Sequence, residues 1–241
     1  MTRSDRQPLE FILLNSTKYG DNSLVLHTLS REYGRKSLFL RSVSSASSVA
    51  GGAWHASRKG GARAAVTSLI SPLNIIEGEV TLNPASSSAM MTVSGLAASF
   101  PLNGLRGNLY KASISMFMAE VLFRAVREGA NEEGLYDWCI RKILLLDAMD
   151  GNFSNFHLVF LLELTAALGF RPEFADLAPF VNQGNSAVAQ NLMCLPFEEA
   201  MLVPMTGAVR SELIESFLSY IEVHLEYPLK IRSAAVLKDL F

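Results

Sequence analysis

The sequence predicts an α+β protein: a small β-structured N-terminal part followed by an all-helical remainder. Three observations carry that reading. Residues 9–43 alternate short apolar runs with glycine turns. Beyond about residue 105 the apolar residues recur at helical spacing. Within that second part, residues 154–172 form a run so apolar on all sides that neighbouring elements must cover nearly every face.

The elements follow in order. Leu9 to Ser16 is an apolar run of strand length, Lys18-Tyr-Gly-Asp-Asn22 a turn, and Ser23 to Leu29 a second strand. Arg31-Glu-Tyr-Gly-Arg-Lys36 turns again about Gly34, and Ser37 to Val43 reads as a third strand. Three strands joined by short turns make a meander, the start of a small barrel or sandwich. Ser42 to Gly61 is rich in Ser, Gly and Ala and cannot bury enough apolar surface to order itself. Ala64 to Leu82 resumes as extended structure around Pro72, clearest over Asn74 to Val80, and Met90 to Leu96 supplies a last strand.

Helices are expected over Leu109–Glu128, Glu132–Met149, Val209–Tyr227 and Ser233–Phe241, with Phe174–Pro204 irregular and carrying short helical pieces. The central one starts from Ser154 as N-cap and stops at Gly169 and Pro172. Phe156, Leu158, Val159, Phe160, Leu161, Leu162, Leu164 and Leu168 point all round its axis, and the run is too short to span a bilayer.

Charge divides the chain the same way. Residues 1–105 carry ten Lys/Arg against six Asp/Glu, whereas residues 106–241 carry eleven against seventeen. That asymmetry predicts two modules, 1–100 and 101–241, with different partners. An apolar fraction of 49% supports a real core in a folded soluble chain. Cys139 and Cys194 fit no metal-ligand spacing and no disulfide framework, which suits a reducing compartment. With no signal-peptide pattern, a cytoplasmic location is expected.

Enzyme chemistry finds little footing. His27, His55, His157 and His224 sit in no zinc-protease spacing, and no phosphate-binding glycine loop or nucleophile elbow occurs. His157 reads as a core or capping histidine rather than a base. The basic block offers more. Alternation in the third strand places Leu38 and Leu40 on one side and Arg35, Ser37, Phe39 and Arg41 on the other. An aromatic between two guanidinium groups suits stacking on single-stranded bases with phosphates held beside it; the bland alternative has Phe39 filling the barrel. Lys18, Arg31, Arg35, Lys36, Arg41, Arg58, Lys59 and Arg63 are the candidate phosphate contacts, with Phe39 and Trp54 as candidate stacking residues.

Five segments then carry a resemblance. They are Leu13 to Leu38 with its Tyr-Gly-Asp and Arg-Glu-Tyr-Gly turns, Ser71-Pro-Leu-Asn-Ile-Ile-Glu77, Ala119-Glu-Val-Leu-Phe-Arg-Ala125, Asn155 to Leu164, and Leu168-Gly-Phe-Arg-Pro172. In this order they resemble the RecO family of bacterial recombination mediators. The resemblance implies an N-terminal OB-fold barrel followed by an α-helical domain. It implies binding of single- and double-stranded DNA, strand annealing, and partnership with RecR and single-stranded-DNA-binding protein in loading RecA. It also implies that the helical domain docks the acidic, Phe-ended tail of single-stranded-DNA-binding protein, with Arg124, Arg127, Arg141, Lys142 and Arg171 as candidate contacts. Two departures stand out. The family's four-cysteine zinc module has no counterpart in two separated cysteines, so neither metal nor other cofactor is expected, and the 42–61 loop is longer and less basic than the family's. A rival reading is a protein–protein adaptor whose barrel binds only protein.

Overall fold

The structure, a computed structural model, describes residues 6–41, 68–81 and 90–241. The 42–61 loop, and with it Trp54, Arg58 and Lys59, lies outside the described residues, as does Arg63. The described chain divides into two compact units: Met1–Pro101 together with Val126–Asn131, and Leu102–Ala125 together with Glu132–Phe241.

The first unit is a closed five-stranded barrel of β1 (Arg6–Tyr19), β2 (Ser23–Ser30), β3 (Gly34–Leu40), β4 (Ile75–Thr81) and β5 (Met91–Ala98). The strands are ordered β1-β2-β3-β5-β4, with β4 paired back to β1. Every pair is antiparallel except β3 with β5, which joins over Leu38↔Met91, Phe39↔Thr92 and Leu40↔Val93. This arrangement is an OB-fold. Of the extended stretch expected over residues 64–82, only Ile75–Thr81 is a strand among the described residues.

Alternation builds the barrel interior. Leu9, Phe11, Leu13, Leu26, Leu38, Leu40, Ile76, Val80, Met91, Val93 and Leu96 make one buried cluster. A β-bulge between Leu13 and Asn15 resets the parity of β1. Beyond it Ser16 and Lys18, opposite Leu26 and Leu24, take the inward register, while Thr17 and Tyr19 turn outward.

Residues 126–131 complete this unit. The Arg35 amide donates to the Ala130 carbonyl at 2.8 Å, and the Gly129 amide donates to the Arg35 carbonyl at 2.7 Å. Gly34 makes the approach possible. Its φ is +58°, and a Cβ there would collide with the Ala130 carbonyl oxygen.

The second unit is helical: α1 (Asn103–Gly107), α2 (Leu109–Ala125), α3 (Leu135–Ala148), α4 (Phe156–Ala167), α5 (Phe174–Leu177), α6 (Ser186–Cys194), α7 (Phe197–Met201), α8 (Gly207–Leu225) and α9 (Ser233–Leu240). The expected helix bounds hold to within about three residues. α4 is the buried centre, with Phe156 through Leu162, Leu164 and Thr165 all inside. Its N-cap is Asn155 rather than Ser154, and Asn155 makes no side-chain cap bond. The Asn155 amide instead faces the chain at residues 200–203. Glu120 of α2 caps α9, accepting the amides of Arg232 at 3.1 Å and Ser233 at 2.8 Å. None of the helices among the described residues is long and apolar enough to cross a membrane.

Candidate nucleic-acid interface

The outward face of the β1–β2–β3 meander carries an aromatic pair. Phe39 sits opposite Val25, and Val25 opposite Thr17. Because of the bulge in β1, Tyr19 reaches the same face. Its ring meets that of Phe39 edge-on, with centroids 5.5 Å apart and planes at 88°. Tyr19 is 64% exposed and Phe39 half-buried, so the pair is anchored on one side and open on the other. Phe39 therefore lies outside the buried cluster that Leu38 and Leu40 help to form.

Two of the expected cations accompany this end of the meander. Lys18 is exposed in the residue before Tyr19, and Arg41 is exposed two residues past Phe39. Arg31 is exposed in the turn at the other end of β3, and Lys36 is half-buried with the inward register of Leu38. The structure thus brings together Tyr19 and Phe39, with Lys18 and Arg41 exposed next to them in the chain, and leaves Arg31 and Lys36 toward the other end of β3.

Arg35 departs from the expectation. It is 4% exposed, and its Nη1 donates to Glu128 Oε2 at 2.9 Å. Burial pulls its pKa down and the Glu128 carboxylate pushes it back up. A guanidinium held this way has no open face for a phosphate. Glu128 does more than neutralise it, accepting the Ser37 amide at 2.6 Å and the Ser37 hydroxyl at 3.1 Å.

That hydroxyl sets the tautomer of His27. Since Ser37 Oγ gives its proton to Glu128, it accepts from His27 Nδ1–H at 2.9 Å, leaving Nε2 to accept from the Thr17 hydroxyl at 3.1 Å. Thr17, His27, Ser37 and Glu128 form one directed chain across three strands. Burial, followed by the nearby Arg35 charge, holds the His27 pKa below its ordinary value, against the opposing pull of Glu128. The neutral ring fits that chain.

His157 is wholly buried, neither ring nitrogen has a hydrogen-bond partner, and burial with the Arg210 charge drives its pKa down to about 3. Burial also pushes the Cys139 thiol far up, which makes it inert. Among the described residues no three His, Cys, Asp or Glu side chains are grouped to hold a metal ion.

The helical unit does contain a cavity of about 670 Å³. Leu135, Trp138, Val159, Leu162, Leu192 and Phe197 give it apolar walls, and Glu133, Glu163, Arg171 and Glu173 line it with charge. Of the five cations expected at a tail-docking site, Arg171 alone lines it. Lys142 lies behind Glu163 as its salt-bridge partner, with its ammonium 5.0 Å from the centre of the Phe197 ring. Arg124 and Arg141 are exposed elsewhere on the helices, and Arg127 is exposed in the segment that joins the first unit.

An OB barrel is followed in the chain by a helical bundle around one buried helix. Residues 106–179 match the family model described as recombination protein O C terminal. The chain is 31% identical to the DNA repair protein RecO of Phocaeicola vulgatus, over 95% of this chain and 97% of that protein. It is 27% identical to the RecO of Bacteroides fragilis and 26% identical to that of Porphyromonas gingivalis, with the same coverage. The chain belongs to the RecO family.

Proposed function

We propose that this chain is a non-catalytic mediator of DNA repair and recombination whose barrel binds DNA on the outward face of the β1–β2–β3 meander. The Tyr19–Phe39 pair, with Lys18 and Arg41 exposed near it in the chain, is the observation that carries this reading. An exposed ring braced by a second ring is a stacking platform for any base, because every base has a π-face. The flanking cations hold the phosphates and fix no sequence. Membership in the RecO family supports the wider role: binding of single- and double-stranded DNA, strand annealing, and work with RecR and single-stranded-DNA-binding protein in loading RecA. Docking of the acidic tail of that protein belongs to the helical unit, where, of the five candidates, Arg124 and Arg141 are exposed away from the cavity.

Titration with labelled single-stranded DNA at several salt concentrations tests the barrel reading. Each phosphate neutralised releases counterion, giving a log–log slope near −0.7 per contact. Three or so contacts from Lys18, Arg41 and their neighbours give a slope of about −2. A barrel that binds only protein would show no saturable DNA binding at low salt, and that result would replace this reading with the adaptor one.

A further inference from the structure

The cavity of the helical unit has the wrong charge for an acidic ligand. Its walls are apolar, and Trp138, stacked on Phe160 with centroids 5.3 Å apart, donates its indole N–H to Glu163 at 3.3 Å. Glu163 is already neutralised by Lys142. Glu133 and Glu173 make no ion pair among the described residues, and Arg171 is the one cation on the lining. The unit around it, Leu102–Ala125 with Glu132–Phe241, holds ten Lys/Arg against sixteen Asp/Glu. Net negative potential at a low-dielectric cleft draws cations and repels carboxylates.

We propose that this cavity docks a peptide segment of a partner protein in which one bulky apolar side chain stands beside Lys or Arg residues. The apolar residue fills the space between Leu135, Val159, Leu162 and Leu192, and the cations face Glu133 and Glu173. The volume accommodates a single Leu, Phe or Trp side chain with its flanking backbone. The site is additional to the tail docking proposed above and serves a ligand of opposite charge.

The test is fluorescence anisotropy on the full chain with two labelled pentapeptides, Lys-Lys-Leu-Phe-Lys and its charge-swapped form Glu-Glu-Leu-Phe-Glu. At low salt the basic peptide binds about five- to ten-fold tighter, because two to three exposed charge contacts each contribute modestly. Glu133→Lys, at an exposed position, lowers affinity for the basic peptide and raises it for the acidic one. Ala166→Trp, also exposed and on the cavity lining, fills the space and weakens both. Acidic-peptide binding as tight as that of the basic peptide and weakened by Ala166→Trp overturns the proposal, as does an Ala166→Trp variant that binds the basic peptide like the parent. Single-stranded DNA is titrated in parallel. Unchanged DNA binding in both variants is expected and ties the peptide effects to the cavity; parallel loss would show a general charge or folding effect and sink the assignment. Because the barrel titration is read separately, failure here leaves the DNA reading standing.

Discussion

Asn155 accepts a hydrogen bond from the Arg210 guanidinium at 3.2 Å while its own amide group points at three carbonyls, Ala200 at 3.1 Å, Met201 at 3.3 Å and Val203 at 2.9 Å. Only one orientation of the amide satisfies both sides, since the carbonyls need a donor and Arg210 needs an acceptor. One buried side chain thus fixes the start of the central helix, the turn after α7 and a cation of α8.

Asn155→Ala leaves Arg210 and three buried carbonyls short of partners, a loss of about 2–4 kcal/mol of stability. Asn155→Asp tests the same geometry differently. It offers Arg210 a charge but turns a second oxygen toward the carbonyls, so it also destabilises. Urea unfolding measures both, and an Asp variant as stable as the parent would show that the carbonyl contacts contribute little.

Arg35 and Glu128 yield a second expectation. Glu128→Gln keeps one acceptor oxygen, turns the other into a donor and removes the charge, stranding a buried guanidinium. With Glu128 half exposed to solvent, the cost is about 1–3 kcal/mol rather than the larger figure for a fully buried pair. Arg35→Met in the Glu128→Gln background should recover most of it. The salt slope of DNA binding should be unchanged in Arg35→Met, and a lower slope would return Arg35 to the phosphate contacts.

Tyr19 and Phe39 separate stacking from charge. Alanine at either lowers affinity for single strands by about 1–3 kcal/mol and leaves the salt slope as it was, because stacking releases no counterion. Arg41→Glu does the reverse, reducing the slope along with the affinity. Tyr19 is exposed, so its replacement should leave the melting temperature unmoved. If Tyr19→Ala binds DNA like the parent, the platform is not the site.

His157 sets a pH dependence. Its folded pKa, about 3, lies below the ordinary 6.5, so the unfolded chain binds the proton more readily. The neutral ring's contribution is complete above pH 6.5 and is lost as pH falls toward 3. Between pH 6.5 and 5 the loss amounts to about 2 kcal/mol. His157→Leu abolishes that component, so on acidification the parent should lose unfolding free energy relative to the variant. Parallel curves would mean that the ring titrates in the folded protein as it does in the unfolded chain.

Legibility in the sequence followed the range of the cause. The stop of α4 could be read from Gly169 and Pro172 because helix ends are local chemistry. The outward turn of Phe39 followed from alternation because β3 is regular. Tyr19 could not be placed, since counting by twos along β1 from Leu9, Phe11 and Leu13 would send it inward, and the bulge that reverses this leaves no mark in composition. Arg35 looked like a surface cation because its partner lies 93 residues further on. The N-cap at Asn155 was missed for the same reason, its side chain being engaged by carbonyls more than forty residues away.

The return of residues 126–131 to the barrel has a consequence for taking the protein apart. No single cut in the chain separates the two units. A fragment ending at Pro101 would keep all five strands yet lose Glu128, Gly129 and Ala130, leaving Arg35 without its carboxylate and its backbone without two hydrogen-bond partners. The barrel borrows its closing stitch from beyond the first long helix. Any division of labour between the halves of this protein is therefore tested by point substitution, and never by scissors.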